Sequence, residues 1–155
     1  MGDEIVPMEE LRRIIISILK NGFTMSLGTL DEIGVWVSDV TYINDEDYNL
    51  YWLSRVESRH SEAILKNPNV VATITLSDNP NREVIGLQIS GIAEKLGGEP
   101  SGDVVEERVI KSKDAPPSHP DGSLYPITAW YKLKPKKIEL MDVPLFGFNK
   151  KVLEL

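Results

Sequence analysis

The period of the hydrophobic pattern changes near Phe23 from that of a helix to that of a strand, and the strand period recurs over most of the remaining chain. A chain so patterned is committed to a sheet. Before the change, "PMEELRRIIISILKNGF" sets Met8, Leu11, Ile14, Ile15, Ile18 and Leu19 on one stripe, with acids in the first turn, Lys20 in the last and Asn21-Gly22 as a stop. That predicts an amphipathic helix. After it, "FTMSLGTL" alternates, "DEIG" is a turn, and "VWVSDVTYI" alternates again before the acidic turn "NDEDYN". "LYWLS" reads as a third strand, and "ESRHSEAILK" as a short helix closed by Asn67-Pro68.

"NVVATITL" is β-branched and almost continuously apolar, a strand pattern typical of a buried position. "REVIGLQISGIAEKL" gives a long strand, with Gly86 and Gly91 where a bulge, a tight bend or a close ligand favours glycine. "SGDVVEERVIKSK" suggests an exposed helix, "DAPPSHPDGSLYP" a proline-rich loop, and "ITAWYKLKPKKIELMDV" returns to alternation interrupted by Pro135. The insert from Gly97 to Pro126 is long for a hairpin connection and is a candidate lid. The ending "LFGFNKKVLEL" has the character of a tail that docks, a second subunit being one candidate. Six or seven antiparallel strands with flanking helices define an α+β, mainly β fold, and closing them into a small barrel would remove the exposed edges.

Composition narrows the function. At 155 residues, 41% of them hydrophobic, the chain suits a single domain over 1–155. A net charge of −7 argues against a general nucleic-acid or anionic-membrane surface. The absence of cysteine excludes disulfides, thiolate metal sites and thiol nucleophiles. "IIISIL" is too short to span a bilayer and lacks the order of a signal peptide, so a cytoplasmic protein is expected. No metal is predicted: His119 stands alone in its proline loop, and "NDEDYN" lacks the glycine and distal glutamate of a calcium loop. Trp36, Trp52 and Trp130 sit on strand patterns and read as barrel core or subunit contacts.

"SRVESRHSEAILKNP", Ser54 to Pro68, supports two readings. In one, Ser54 with Glu57 forms a capping box, or Ser58 caps the helix directly, and Arg59 and His60 are solvated. In the other, helix N–H groups, two hydroxyls, a guanidinium and an imidazole converge on a phosphate. Arginine at a helix start opposes the dipole and calls for a compensating anion. Both readings stand on the residues alone.

The same stretch resembles the phosphate-binding segment of the FMN-binding split-barrel superfamily, the fold of pyridoxamine 5′-phosphate oxidase. A Tyr-Thr ending a strand, a Ser-Arg-Lys opening a helix and a closing Asn-Pro are matched here by Leu53-Ser54, Ser58-Arg59-His60 and Asn67-Pro68. The likeness runs back through "SDVTYI" and forward through "GLQISGIAEKL", over roughly residues 10–155, and "GGE" at 97–99 with "FGFNKK" at 146–151 is most similar to a subgroup of small bacterial and archaeal proteins. The resemblance implies an FMN-binding split β-barrel and a homodimer with FMN at its interface. It implies a phosphate held by Ser54, Ser58, Arg59 and His60, beside Leu53, and a flavin ring along the backbone of Ser38, Asp39, Val40 and Thr41. Gln88 and Lys150 are then candidates for reaching the cofactor or the other subunit, although the oxidase's flavin-contacting glutamine falls at Gly86.

Departures from the oxidase limit the inference. Its basic residues on the flavin strand correspond to Ser38 and Ile43, and its C-terminal Arg-x-His motif has no counterpart, so pyridoxamine phosphate oxidation is not expected. The resemblance implies instead an FMN-dependent oxidoreductase for a small organic substrate, with NAD(P)H as a candidate reductant and no residue nominated as catalytic. A non-catalytic flavin binder or sensor, or a dimeric module with an empty, haem or deazaflavin pocket, is the alternative.

Overall fold

The structure, a computed structural model, describes residues 5–76, 81, 83–104 and 127–155. Helix α1 (Met8–Asn21) precedes β1 (Thr24–Asp31), β2 (Gly34–Thr41), β3 (Ile43–Asn44) and β4 (Leu50–Arg55). Then come α2 (Arg59–Lys66), β5 (Asn69–Thr75), β6 (Ile85–Lys95), β7 (Thr128–Asp142), α3 (Val143–Phe146) and β8 (Lys151–Glu154). The strands form one antiparallel sheet in the order β2-β1-β5-β6-β7-β4-β3, with β8 on β7. Among the described residues there are eight where the sequence pattern suggests six or seven, the shortest being β3 and β8. Most of the helix expected at 101–113, the proline loop with His119 and most of the candidate lid lie outside the described residues.

The sheet curls around a core in which Trp52 stacks on Tyr131, ring centres 5.7 Å apart, and both are fully buried. Helix α1 adds Leu11, Ile15, Ile18 and Leu19, the i, i+4, i+7, i+8 face of its stripe, whereas Met8, one turn too early, is 52% exposed. The Tyr42 hydroxyl ties the helix down by donating to the Leu19 carbonyl at 2.7 Å. Side chains as buried as Ile15 and Leu19 each contribute roughly 1.5–3 kcal/mol. A second cluster of Ile43, Tyr51, Val104 and Trp130, with Leu53 and Leu96 against it, covers the other face of β4.

Pro135 does not interrupt its strand. The register slips between Ser90 and Gly91, which face Lys137 and Pro135, so the bulge absorbs one residue beside a proline that has no N–H to donate. A Cβ at Gly91 would run into the Lys134 carbonyl and backbone, so close strand approach accounts for this glycine without a ligand. β5 also differs from expectation. Val70, Ala72 and Ile74 are buried, but Val71 is 55% exposed, so among the described residues only one face of the strand is covered. The C-terminal tail docks on its own chain: β8 pairs with residues 137–140 of β7 and buries Leu153, leaving Phe148 and Leu145 exposed. Among the described residues no helix is long and apolar enough to cross a membrane.

Candidate functional site

Alternation along β4 puts Leu50, Trp52 and Ser54 on the core face and Tyr51 and Leu53 on the other. Ser54 therefore stands where the core face runs out at the end of the strand. After the turn at 56–58 the chain starts α2 with Ser58 as an extended N-cap. No side chain among the described residues caps that helix, and the Ser54–Glu57 capping box does not form. The Ser58 hydroxyl turns instead to the Arg55 carbonyl at 2.9 Å, with Ser61 Oγ at 2.8 Å and His60 Nε2 at 3.2 Å. His60 Nε2 also meets Ser54 Oγ at 2.9 Å, so the imidazole joins the strand end to the helix start. In one tautomer Nε2–H donates to these hydroxyls, and in the other a bare Nε2 accepts from them.

Half-burial of His60 pushes its pKa below the ordinary value, favouring the neutral ring in the free protein. What results is a compact set of adjustable donors, three hydroxyls and an imidazole, at the positive end of a helix dipole. Donors of this kind at a helix N-terminus suit the acceptor oxygens of an anion.

Arg59 takes a different direction from its neighbours. Its Nε and Nη2 form a fork on Asp31 at 2.7 and 3.0 Å, and its guanidinium lies 4.5 Å from the centre of the Trp36 ring. Bonding to Arg59 first, and then to the N–H groups of Ile33 and Gly34, lowers the Asp31 pKa to about 2. Trp36 is thus neither core nor inert surface, whereas Trp52 and Trp130 are buried.

β2 is an edge strand in the hydrogen-bonded order, yet it packs against β4, so a seam without a ladder runs between them. The candidate flavin strand lies on this seam, with Ser38 half-buried, Val40 buried on the core face and Thr41 half-buried. Asp39 points the opposite way, where Ser26 Oγ donates to it at 2.6 Å. Gln88 and Lys150 also belong to that outer side. Register aligns Asp39, Ser26, Thr73, Gln88 and Glu139 in one row, and Lys150 Nζ donates to Gln88 Oε1 and lies 3.8 Å from Glu139.

The predicted site residues thus fall into two sets. Ser54, Ser58 and His60 meet one another at the end of β4 and the start of α2, while Ser38, Val40 and Thr41 belong to β2, which packs against β4. Asp39, Gln88 and Lys150 stand on the outer face, and Leu53 packs away from the cluster. Ser61 and the partners of Arg59 escape sequence reasoning. Ser61, three residues after Ser58, carries a weak local signal, while Asp31, 28 residues from Arg59, carries none.

No protein-family model matches the sequence, and no curated protein is similar to it. Solved structures are similar. A proposed pyridoxamine 5′-phosphate oxidase from Listeria innocua has a TM-score of 0.63 at 22% identity, over 85% of this chain and 98% of that one. An F420 reductase has a TM-score of 0.61 at 18% identity, over 79% and 93%. A haem-binding protein from Mycobacterium smegmatis has a TM-score of 0.65 at 15% identity, over 97% of this chain but 60% of the other. The chain therefore shares the fold of these proteins, a split β-barrel.

Proposed function

We propose that the protein binds FMN, with the phosphate on Ser54, Ser58, His60 and the first N–H groups of α2, and acts as an oxidoreductase on a small organic substrate. The observation that carries this reading is the meeting of two hydroxyls from different elements on one imidazole nitrogen, at 2.9 and 3.2 Å, beside a helix N-terminus that no described side chain caps. Hydroxyl, imidazole and amide donors suit the acceptor oxygens of a phosphate monoester. They offer nothing comparable to the hydrophobic face of a haem. When bound, the flavin ring supplies hydride transfer, and the chain supplies position and electrostatics. Ser38 to Thr41 would line the ring, and Arg59, beside the cluster, is a further candidate for the phosphate.

The reading includes a homodimer. Leu30, Val35, Val37 and Val71 are 45–76% exposed on the outer face of β1, β2 and β5, beside a hollow of about 340 Å3. Contiguous apolar strand surface of this kind is characteristic of an interface. A second copy placed there would also give Asp39, Gln88 and Lys150 a ligand to meet.

The test is equilibrium titration of the purified protein with FMN, riboflavin, F420 and haem, followed by NADH or NADPH. The expected result is FMN binding that is at least tenfold tighter than riboflavin binding, and bleaching of the bound flavin by one of the nucleotides. Equal affinity for FMN and riboflavin would remove the phosphate from the site. Tighter binding of haem or F420 would replace the cofactor.

A further inference from the structure

Arg59 opens α2, where the positive end of the dipole disfavours a cation, and the anion that compensates is supplied by the β1–β2 hairpin rather than by the helix. Asp31 does not depend on Arg59 for its own hydrogen bonds. Its Oδ1 also accepts from the N–H groups of Ile33 at 2.9 Å and Gly34 at 3.1 Å, so losing the guanidinium would leave the carboxylate two backbone donors. Arg59 in turn rests on the face of Trp36. A second tie between the hairpin tip and α2, Lys66 to Glu32 at 2.9 Å, joins side chains 67% and 77% exposed and holds little. Asp31–Arg59 is the principal clasp between tip and helix.

The residues on either side of Arg59 are Ser58 and His60, both in the hydroxyl–imidazole cluster. Resting on the FMN reading, we infer that Asp31 is an internal rival of the ligand's phosphate for Arg59: a phosphate seated on Ser58 and His60 draws the guanidinium from Asp31, and the tip at 31–34 is released from α2 as the ligand binds. A phosphate dianion carries more charge and more acceptor oxygens than a carboxylate, so it wins the exchange once positioned by the neighbouring donors. Asp31 is therefore a residue that holds down affinity for phosphate-bearing ligands and sets hairpin position together, through Arg59, without touching the cofactor.

The experiment compares FMN and riboflavin affinities in the wild-type protein, Asp31→Asn, Arg59→Ala and the double variant. Asp31→Asn keeps an oxygen for the Ile33 and Gly34 amides, and circular dichroism verifies folding; Asp31→Ser serves as an independent second replacement. The expected result for Asp31→Asn is FMN binding tightened about twofold to fivefold, the range for one solvated ion pair, with riboflavin unchanged and the gain absent when Arg59 is also removed. Inorganic phosphate provides a probe without a chromophore: it should alter the tryptophan emission of the wild-type protein and leave that of Trp36→Phe constant. FMN binding that is weakened or unaltered by Asp31→Asn overturns the rivalry and makes Asp31 a support for Arg59. Failure of both proteins to bind FMN overturns the proposed function, and this inference with it.

Discussion

The inner and outer faces of the sheet use the same strands under different conditions. On β5 the inner residues Val70, Ala72 and Ile74 are 1–4% exposed, while Val71 between them is 55% exposed. The inner set is covered by the chain's own helices and by the curl of the sheet; the outer set, with Leu30, Val35 and Val37, is covered by nothing within the described residues. Polar residues divide the same way. Ser54, Ser58 and His60 gather where the core face of β4 ends and α2 begins, and Asp39, Gln88, Glu139 and Lys150 form an outer row. A strand apolar on both faces is therefore no sign that both are buried in one chain; it marks one face for folding and leaves the other available for association.

The largest effect that sharpens this contrast comes from the core. Trp52→Ala removes a fully buried ring stacked on Tyr131 and should lower unfolding stability by about 3–5 kcal/mol, read by denaturant titration. Val71→Asp, on the outer face of the same sheet, should change chain stability by less than about 1 kcal/mol, yet convert a dimer into a monomer by sedimentation. A monomeric wild-type protein at micromolar concentration would remove the outer face from the function. Similar stability losses from the two substitutions would show that the faces are not distinct.

Next in size are the residues of the hydroxyl–imidazole cluster. Ser54→Ala and His60→Ala should each weaken FMN roughly tenfold to hundredfold, the loss associated with a hydrogen bond to a charged group, and should leave riboflavin nearly unaffected. The histidine adds a pH dependence. Burial depresses its pKa in the free protein, and a phosphate dianion beside Nε2 would raise it, so binding takes up a proton between the two values. FMN affinity should be highest below the free-state pKa, fall as pH rises between the two values by at most about tenfold per pH unit, and level off above the bound-state pKa. Titrations from pH 6.5 to 9 should show that slope in the wild-type protein and lose it in His60→Gln. Folding without ligand has the opposite sign: the unfolded imidazole, titrating near 6.5, holds its proton better, so stability falls as pH drops below that value towards the folded pKa.

Much of this architecture was legible because its signals are local. Periodicity located α1, the β1–β2 hairpin, β4 and β6, and Asn67-Pro68 marked the end of α2. The spacing of Ser54, Ser58 and His60 also survived, since a strand end and the next helix start are held together by one short turn. Properties set at long range were not legible. Whether Val71 or Val70 meets the core depends on register against β1 and β6. β8 is only four residues long and gains its identity from β7. The partner of Arg59 lies 28 residues away, so the need for an anion was readable at the helix start but its source was not.

The smallest effect tests whether the two faces cooperate. Lys150 meets Gln88 and Glu139 at the surface of its own chain, an arrangement in which Lys150→Met should change folding stability by less than about 0.5 kcal/mol. If the dimer brings this outer row to the seam of the other copy, the same substitution should weaken FMN a few-fold while leaving the pH slope of His60 intact. Mixing provides the control, because a heterodimer of Lys150→Met with Ser54→Ala would then carry one site impaired by both substitutions and one site free of both. Half of the FMN should accordingly bind with wild-type affinity. If the two substitutions instead act within one chain, every site carries one defect and no wild-type fraction appears, which would return Lys150 to the role of a surface lysine on its own sheet.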